Sequence, residues 1–116
     1  MFKDWPNCFV IGVMLLAGCG VTEFRDQRIR LEPLLATNAP LTAVKAEIGE
    51  IQIYQAGTPE WNDFRSYYMR RSNHYAGLAS KMEKSASFGW KSTASMQTWI
   101  FLDEQERLID FEVGAQ

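Results

Sequence analysis

This sequence contains little of what most catalytic and metal sites are built from. It has two cysteines and one histidine in 116 residues, whereas metal sites usually draw several ligands from these residue types. It contains neither a glycine-rich phosphate loop nor a Gly-x-Ser-x-Gly motif around a nucleophile. The histidine, His74, lies in a polar segment and is interpreted as a surface or capping residue. We therefore predict no catalytic residue, no metal ligand and no cofactor, and we expect a protein that is not an enzyme.

Neither sign of charge is in large excess. The formal net charge is −2, so there is no global attraction to nucleic acid. The distribution is uneven, because residues 59–91 hold six basic and three acidic side chains (+3) and residues 92–116 hold one basic and five acidic ones (−4). Such a pattern is typical of two solvated faces. The alternative is a partner contact that is steered by charge.

No apolar run is long enough to cross a bilayer, which needs about 20 residues. The longest run, residues 8–16, follows a short polar segment and fits the hydrophobic region of a signal peptide. The alternative is a buried helix or strand at the N-terminus. The run leads into Leu15-Leu16-Ala17-Gly18-Cys19, which resembles the lipobox of bacterial lipoproteins. We therefore predict a leader over residues 1–18.

The resemblance to lipoproteins implies a chemistry and a location. It implies diacylglycerol on the Cys19 thiol, with fatty acids such as palmitate, and cleavage between Gly18 and Cys19. In that family an aspartate after the cysteine favours the inner membrane. Here Gly20 follows, which implies an outer-membrane anchor facing the periplasm. Cys8 leaves with the leader, so the mature chain keeps no other thiol, which suits an oxidising compartment.

The segment between the anchor and the domain is predicted to be a tether. Residues 21–32 hold three acidic and three basic side chains, a balance of zero, so they are not a polybasic lipid-binding segment. Pro33 and Pro40 discourage a long helix, and the alternation in residues 28–32 leaves a short edge strand as an alternative. We expect residues 19–40 to be the lipidated cysteine and tether and residues 41–116 to be one small domain.

The first half of that domain predicts helices and one strand. Thr42 is a candidate N-cap and Gly49 a candidate stop for a short helix, and residues 50–55 alternate as a strand does. Residues 58–60, Thr-Pro-Glu, predict the start of a second helix that closes near Arg70 and Arg71. A further amphipathic helix is predicted to follow and to end before residue 85.

The second half predicts a small sheet. Residues 88–93 form either a strand or a loop, and residues 96–102 are β-branched, aromatic and apolar on both faces, as in a central strand. A polar turn leads to a last strand with Ile109, Phe111 and Val113 pointing inward. The fold class is therefore α+β, with short helices packed on a small antiparallel sheet that ends in a C-terminal β-hairpin.

This order of elements resembles that of the small SmpA/OmlA-type envelope lipoproteins. The matching segments are Leu41-Thr42-Ala43-Val44 through Ile48-Gly49, and Thr98-Trp99-Ile100-Phe101-Leu102 through Leu108-Ile109-Asp110-Phe111. The resemblance implies helices on a three-stranded antiparallel sheet. It also implies a non-catalytic binding or scaffold accessory in outer-membrane assembly or maintenance.

Aromatic side chains give the better candidate for a binding surface. Seven of them lie in the basic region, namely Trp61, Phe64, Tyr67, Tyr68, Tyr75, Phe88 and Trp90. The first interpretation is a helix-to-sheet core. Tyr67, however, lies off the face that Trp61, Phe64 and Tyr68 share, and Tyr and Arg are enriched at interface hot spots. We therefore expect a protein partner to bind near Tyr67, Arg70 and Arg71.

The sequence indicates which kinds of partner to expect, and it leaves a second function open. No small-molecule substrate is evident, so the expected partners are the membrane and a protein of the envelope. The alternative function is an inhibitor or immunity-type lipoprotein. Such a protein would block a secreted or periplasmic enzyme by inserting an exposed loop, for which the candidates are residues 85–90 and 103–107.

Overall fold

The structure, a computed structural model, describes residues 13–70, 72–93 and 95–115, with side chains described in residues 23–70, 77–93 and 95–114. Helices precede and interrupt a four-stranded sheet. In chain order the elements are α1 (Val13–Ala36), α2 (Leu41–Ile48), β1 (Gln52–Gln55), α3 (Pro59–Arg70), α4 (Ser72–Glu83), β2 (Ser87–Ser92), β3 (Met96–Leu102) and β4 (Leu108–Ala115). This is the predicted small α+β fold with a C-terminal hairpin.

The strands follow one another across the sheet in sequence order, and each pair of neighbours is antiparallel. β1 pairs with β2 although two helices separate them in the chain. β3 lies between β2 and β4, as its apolar residues on both faces predicted. β2 resolves the choice between strand and loop for residues 88–93 in favour of a strand. The sheet therefore has one strand more than the resemblance implied.

Helices cover both faces of this sheet. On one face α1 and α2 pack with residues from β1, β3 and β4 around Leu31, Val44, Ile100 and Leu102, and this cluster is the first core. On the other face α3 and α4 enclose an aromatic core, which consists of Tyr68, Leu78, Met82, Phe88, Trp99 and Phe101. Alternation along β3 sends Ile100 to the first core and Trp99 and Phe101 to the aromatic core.

Residues 23–36 do not form the predicted tether, because they belong to α1 and pack on the sheet. Leu31 is fully buried, and the buried Gln27 side-chain amide donates to the Thr98 hydroxyl of β3 at 3.2 Å. Arg28 donates to the Val113 carbonyl of β4 at 3.3 Å. Pro33 is accommodated within the helix one turn before its end. The folded unit therefore begins before residue 41, and residues 28–32 are helical rather than a strand.

α2 begins two residues earlier than Thr42 as N-cap would give, and it is not capped by Thr42. Pro40 occupies the N-cap position, without a side-chain hydrogen bond to the helix. The Leu41 amide instead donates to the Glu106 carbonyl in the β3–β4 turn at 2.8 Å, so a tertiary contact replaces the cap. Gly49 does end the helix, with φ +88° and its amide bonded to the Lys45 carbonyl.

α3 begins as predicted. Pro59 is its first residue and Glu60 lies in its first turn, where a carboxylate favours the positive end of the helix dipole. The Thr58 hydroxyl accepts a hydrogen bond from the Trp61 amide at 3.4 Å. This local chemistry sets where α3 starts and therefore which of its side chains face the sheet.

Ile109 is an exception to the predicted alternation of β4. Leu102 pairs with Leu108 while Phe101 pairs with Asp110, so the register shifts between Phe101 and Leu102. The shift leaves Ile109 opposite no partner and 37% exposed, while Leu108 is fully buried in its place. Val113 is buried and Phe111 is half-buried against the first core, as predicted.

Gly89 is required by the packing between the sheet and the first core. A Cβ at this position would lie 2.8 Å from Ile100 Cγ1 and 3.0 Å from Ile53 Cδ1. We expect Gly89→Ala to destabilise the fold by about 1–3 kcal/mol through overpacking, measured as the free energy of unfolding in urea. The matched control is Gly77→Ala on α4, where the added methyl meets no atom within 4 Å. That change should stabilise by about 0.5–1 kcal/mol, and an equal gain at Gly89 would contradict the packing argument.

Candidate functional site

An open groove lies between α3 and the sheet, on the face that carries the aromatic core. Its volume is about 530 Å³, within the range of pockets that hold ligands or inserted side chains. Eight described residues line this aromatic groove: Tyr54, Glu60, Asp63, Phe64, Tyr67, Tyr68, Trp90 and Gln97. Five of the eight are aromatic, so the groove is a concave surface of rings with a polar edge.

The rings come together because helical and strand periodicities meet here. Residues three and four apart share one face of a helix, which brings Phe64, Tyr67 and Tyr68 to one side of α3. Tyr54 and Trp90 lie on neighbouring strands, two positions apart in the β1–β2 register, so their side chains share one face. The ring centroids are 4.9 Å apart for Tyr54 and Phe64 and 5.7 Å apart for Phe64 and Trp90.

Hydrogen bonds hold two of the walls in place. The Trp90 indole donates to the Gln97 side-chain oxygen on β3 at 2.9 Å, which orients the indole while leaving the residue half-buried. The Tyr68 hydroxyl accepts a hydrogen bond from the Trp99 indole in the buried interior. These bonds connect α3, β2 and β3, so the groove is pre-formed rather than assembled from a loop.

The edge of the groove carries negative charge. Glu60 and Asp63 are exposed and lie three residues apart on α3. No described basic side chain forms an ion pair with either carboxylate. The described lining therefore has two carboxylates and no cation.

Of the predicted partner-binding residues, the structure places Tyr67 in the groove but does not place Arg70 among the described lining residues. Tyr67 is 42% exposed and lines the groove. Arg70 is exposed at the end of α3, one turn beyond Tyr67, and is not among the described lining residues. Arg71 lies outside the described residues. The backbone of Gly18 and Cys19 is part of α1, but their side chains are not described, and neither is that of His74.

The uneven charge along the sequence is partly matched inside the fold. Lys81 of α4 lies 3.5 Å from Asp110 and 3.6 Å from Glu112 on β4, so the basic and acidic segments meet across one contact. Arg65 pairs with Glu83, its neighbour on α4. These partly exposed pairs contribute little to stability. Lys81 and Arg65 are nevertheless paired within the fold, whereas the sequence alone gave no sign of these pairs.

Sequence reasoning missed part of the groove. It placed Phe64, Tyr68 and Trp90 in the aromatic cluster, but it did not identify Tyr54 or Gln97 as lining residues. The alternation of β1 put Tyr54 on one face, yet only the pairing of β1 with β2 brings that face beside α3. The loop proposed for residues 85–90 is not an exposed loop, because Ser87, Phe88 and Gly89 are buried in β2. The exposed turn at residues 104–107 remains the other candidate.

A smaller hollow of about 380 Å³ is lined by residues 50–52, at the start of β1, and by residues 90–92, at the end of β2. Lys91 lines it and donates from its ammonium group to the Ile48 carbonyl at the end of α2. Because a helix C-terminus favours a cation, this lysine has a structural role. Within the described residues, no three side chains of the His, Cys, Asp or Glu type come together as they would around a metal ion.

No family model, curated protein or solved structure matches this chain. None of the helices in the described part of the chain has the length and apolar character needed to cross a membrane.

Proposed function

We propose that this chain is a lipid-anchored protein of the bacterial envelope that binds a partner protein through its aromatic groove. In this proposal the Cys19 lipid holds the domain at the outer membrane, facing the periplasm, and the domain itself performs no catalysis. The observation that carries the proposal is the pre-formed aromatic groove with Tyr67 exposed at its edge.

The groove supports binding of a protein because of its composition. Tyrosine and tryptophan are enriched among residues that dominate interface energies, and their rigid rings lose little conformational entropy on contact. An open volume of about 530 Å³ accepts one or two inserted side chains, as hot-spot pockets do. Three of its rings also contact one another, at centroid separations of 4.9 and 5.7 Å, so the surface exists before a partner arrives.

The lipid anchor is supported by the lipobox resemblance, and the position of α1 determines how far the domain would lie from the lipid. Cys19 lies on the same helix as Gln27 and Leu31, both of which pack on the sheet. At 1.5 Å per helical residue, Cys19 is about 12 Å from Gln27 along the helix axis. An acylated Cys19 would therefore place the domain close to the bilayer surface, where a partner in the same membrane is within reach.

The proposal can be tested by site-specific photocrosslinking on native membranes. A photoreactive phenylalanine analogue at Tyr67 should give a discrete adduct with one partner, because this position is 42% exposed and lines the groove. The matched control is the same analogue at Ile29, which is 55% exposed on α1. It should give no such adduct, because α1 packs on the opposite face of the sheet from the groove.

A second variant connects the adduct to the groove itself. Trp90→Ala removes one wall and should reduce the Tyr67 adduct about tenfold, as expected for loss of a hot-spot ring. Circular dichroism would check that the variant remains folded. Equal adducts from the Tyr67 and Ile29 positions, or an adduct that persists unchanged without Trp90, would show that the groove is not the binding surface.

A further inference from the structure

We infer that the aromatic groove recognises an arginine side chain of the partner protein. This inference rests on the proposed function, because it names the chemistry of the segment that the groove would bind. Two features of the groove lead to it: the faces of its rings and the two carboxylates at its edge.

The first feature is the arrangement of rings around the open volume. Trp90 and Phe64 are inclined at 50° to one another, and Tyr54 and Phe64 at 55°. Rings at such angles present faces as well as edges to the space they enclose. Aromatic faces carry a partial negative charge and attract cations within about 6 Å of the ring centroid. The walls of the groove are therefore suited to a cationic group with an apolar stem.

The second feature is a pair of carboxylates on α3 that form no ion pair with the described basic side chains. Residues 60, 63 and 67 follow at intervals of three and four, so Glu60, Asp63 and Tyr67 form one stripe along the helix. Both carboxylates line the groove and are exposed, and no described cation forms an ion pair with them. A positively charged ligand group could therefore pair with a carboxylate at the edge and contact the aromatic rings that line the groove. An acidic ligand would be repelled.

Arginine fits this combination better than lysine. Its planar guanidinium stacks on an aromatic face and at the same time donates paired hydrogen bonds to a carboxylate. A lysine ammonium is a compact, strongly hydrated point charge that does not use both surfaces in this way. The groove therefore selects a partner segment with an exposed arginine.

The test is a binding measurement with the full chain, purified in a non-ionic detergent. The probe is a short fluorescein-labelled peptide that carries arginines flanked by leucines, and the matched probe replaces each arginine with citrulline, which has the same shape without the charge. Fluorescence anisotropy should show that the arginine peptide binds at least about tenfold more tightly than the citrulline peptide. Equal affinities, or no binding of either peptide, would overturn the inference.

A pair of double variants assigns the effect to the groove. Glu60→Gln with Asp63→Asn should remove most of the preference for arginine over citrulline. The control, Asp26→Asn with Glu104→Gln, removes the same charge from exposed sites on α1 and in the β3–β4 turn and should leave the preference unchanged. Equal losses in both variants would show non-specific attraction and would also overturn the inference. If the Tyr67 photoadduct persists while citrulline and arginine peptides bind equally, only the arginine specificity is wrong.

Discussion

Replacing Cys19 with alanine should abolish incorporation of labelled fatty acid and leave the chain unprocessed. The thioether to diacylglycerol requires a thiol, and the lipobox resemblance places cleavage immediately before this residue. Removal of the first 18 residues leaves 98 of the 116, so the uncleaved precursor separates clearly from the mature form on a gel. The measurement combines metabolic labelling with palmitate and the electrophoretic mobility of the chain. The effect is expected to be complete rather than partial, because the remaining cysteine of the precursor, Cys8, is not preceded by a lipobox.

Cys8 provides the matched control for this result. It is the only other cysteine of the chain and lies within the predicted leader. Cys8→Ala should leave labelling and processing unchanged, because the leader requires apolar character at this position rather than a thiol. A Cys19→Ala chain that is still cleaved and labelled would refute the anchor and with it the location of the domain at the membrane.

The consequence of the proposed lipid anchor depends on α1. A flexible tether of about 20 residues would allow the domain to move far from its lipid. The structure instead shows one helix from Val13 to Ala36, with its second half packed on β3 and β4 through Gln27, Arg28 and Leu31. We therefore propose that the lipid fixes the distance of the groove from the bilayer. A partner would then have to present its binding segment at that distance as well as fit the groove.

The parts of the fold that were predicted well are those with local causes. Thr58, Pro59 and Glu60 set the start of α3 by capping, by a fixed φ and by the helix dipole. β3 was recognised as a central strand because β-branched and aromatic residues on both faces require cover on both sides. These signals act over a few residues and do not depend on what the segment packs against.

Long-range contacts explain the parts that were missed. The stripe of α1 that faces the sheet runs through Phe24, Gln27, Leu31 and Leu34, and a glutamine in that stripe hides its apolar periodicity. Gln27 is satisfied by Thr98, a residue 71 positions away, which no local pattern reveals. Tyr54 and Gln97 were missed as lining residues for the same reason, since the groove exists only where β1 pairs with β2 beneath α3.

Leu31→Ala should destabilise the domain by about 2–5 kcal/mol, the cost of opening a cavity in a packed core. Leu31 is fully buried and contacts the cluster that includes Ile100, Leu102 and Val113. Stabilities of small domains are about 5–15 kcal/mol, so this change removes a large part of the total. The measurement is the free energy of unfolding in guanidinium chloride, followed by tryptophan fluorescence.

Ile29→Ala on the same helix distinguishes burial from helix propensity. Ile29 is 55% exposed, so its truncation should change the free energy of unfolding by no more than about 0.5 kcal/mol. Alanine favours a helix slightly more than leucine or isoleucine does, so propensity alone would stabilise both variants. If residues 19–40 were a tether, the two variants would behave alike, and a mild effect at Leu31 would contradict the packing of α1. A large difference between them would instead show that α1 is part of the folded unit, and the proposed lipid at Cys19 would then be attached to a helix of the domain itself.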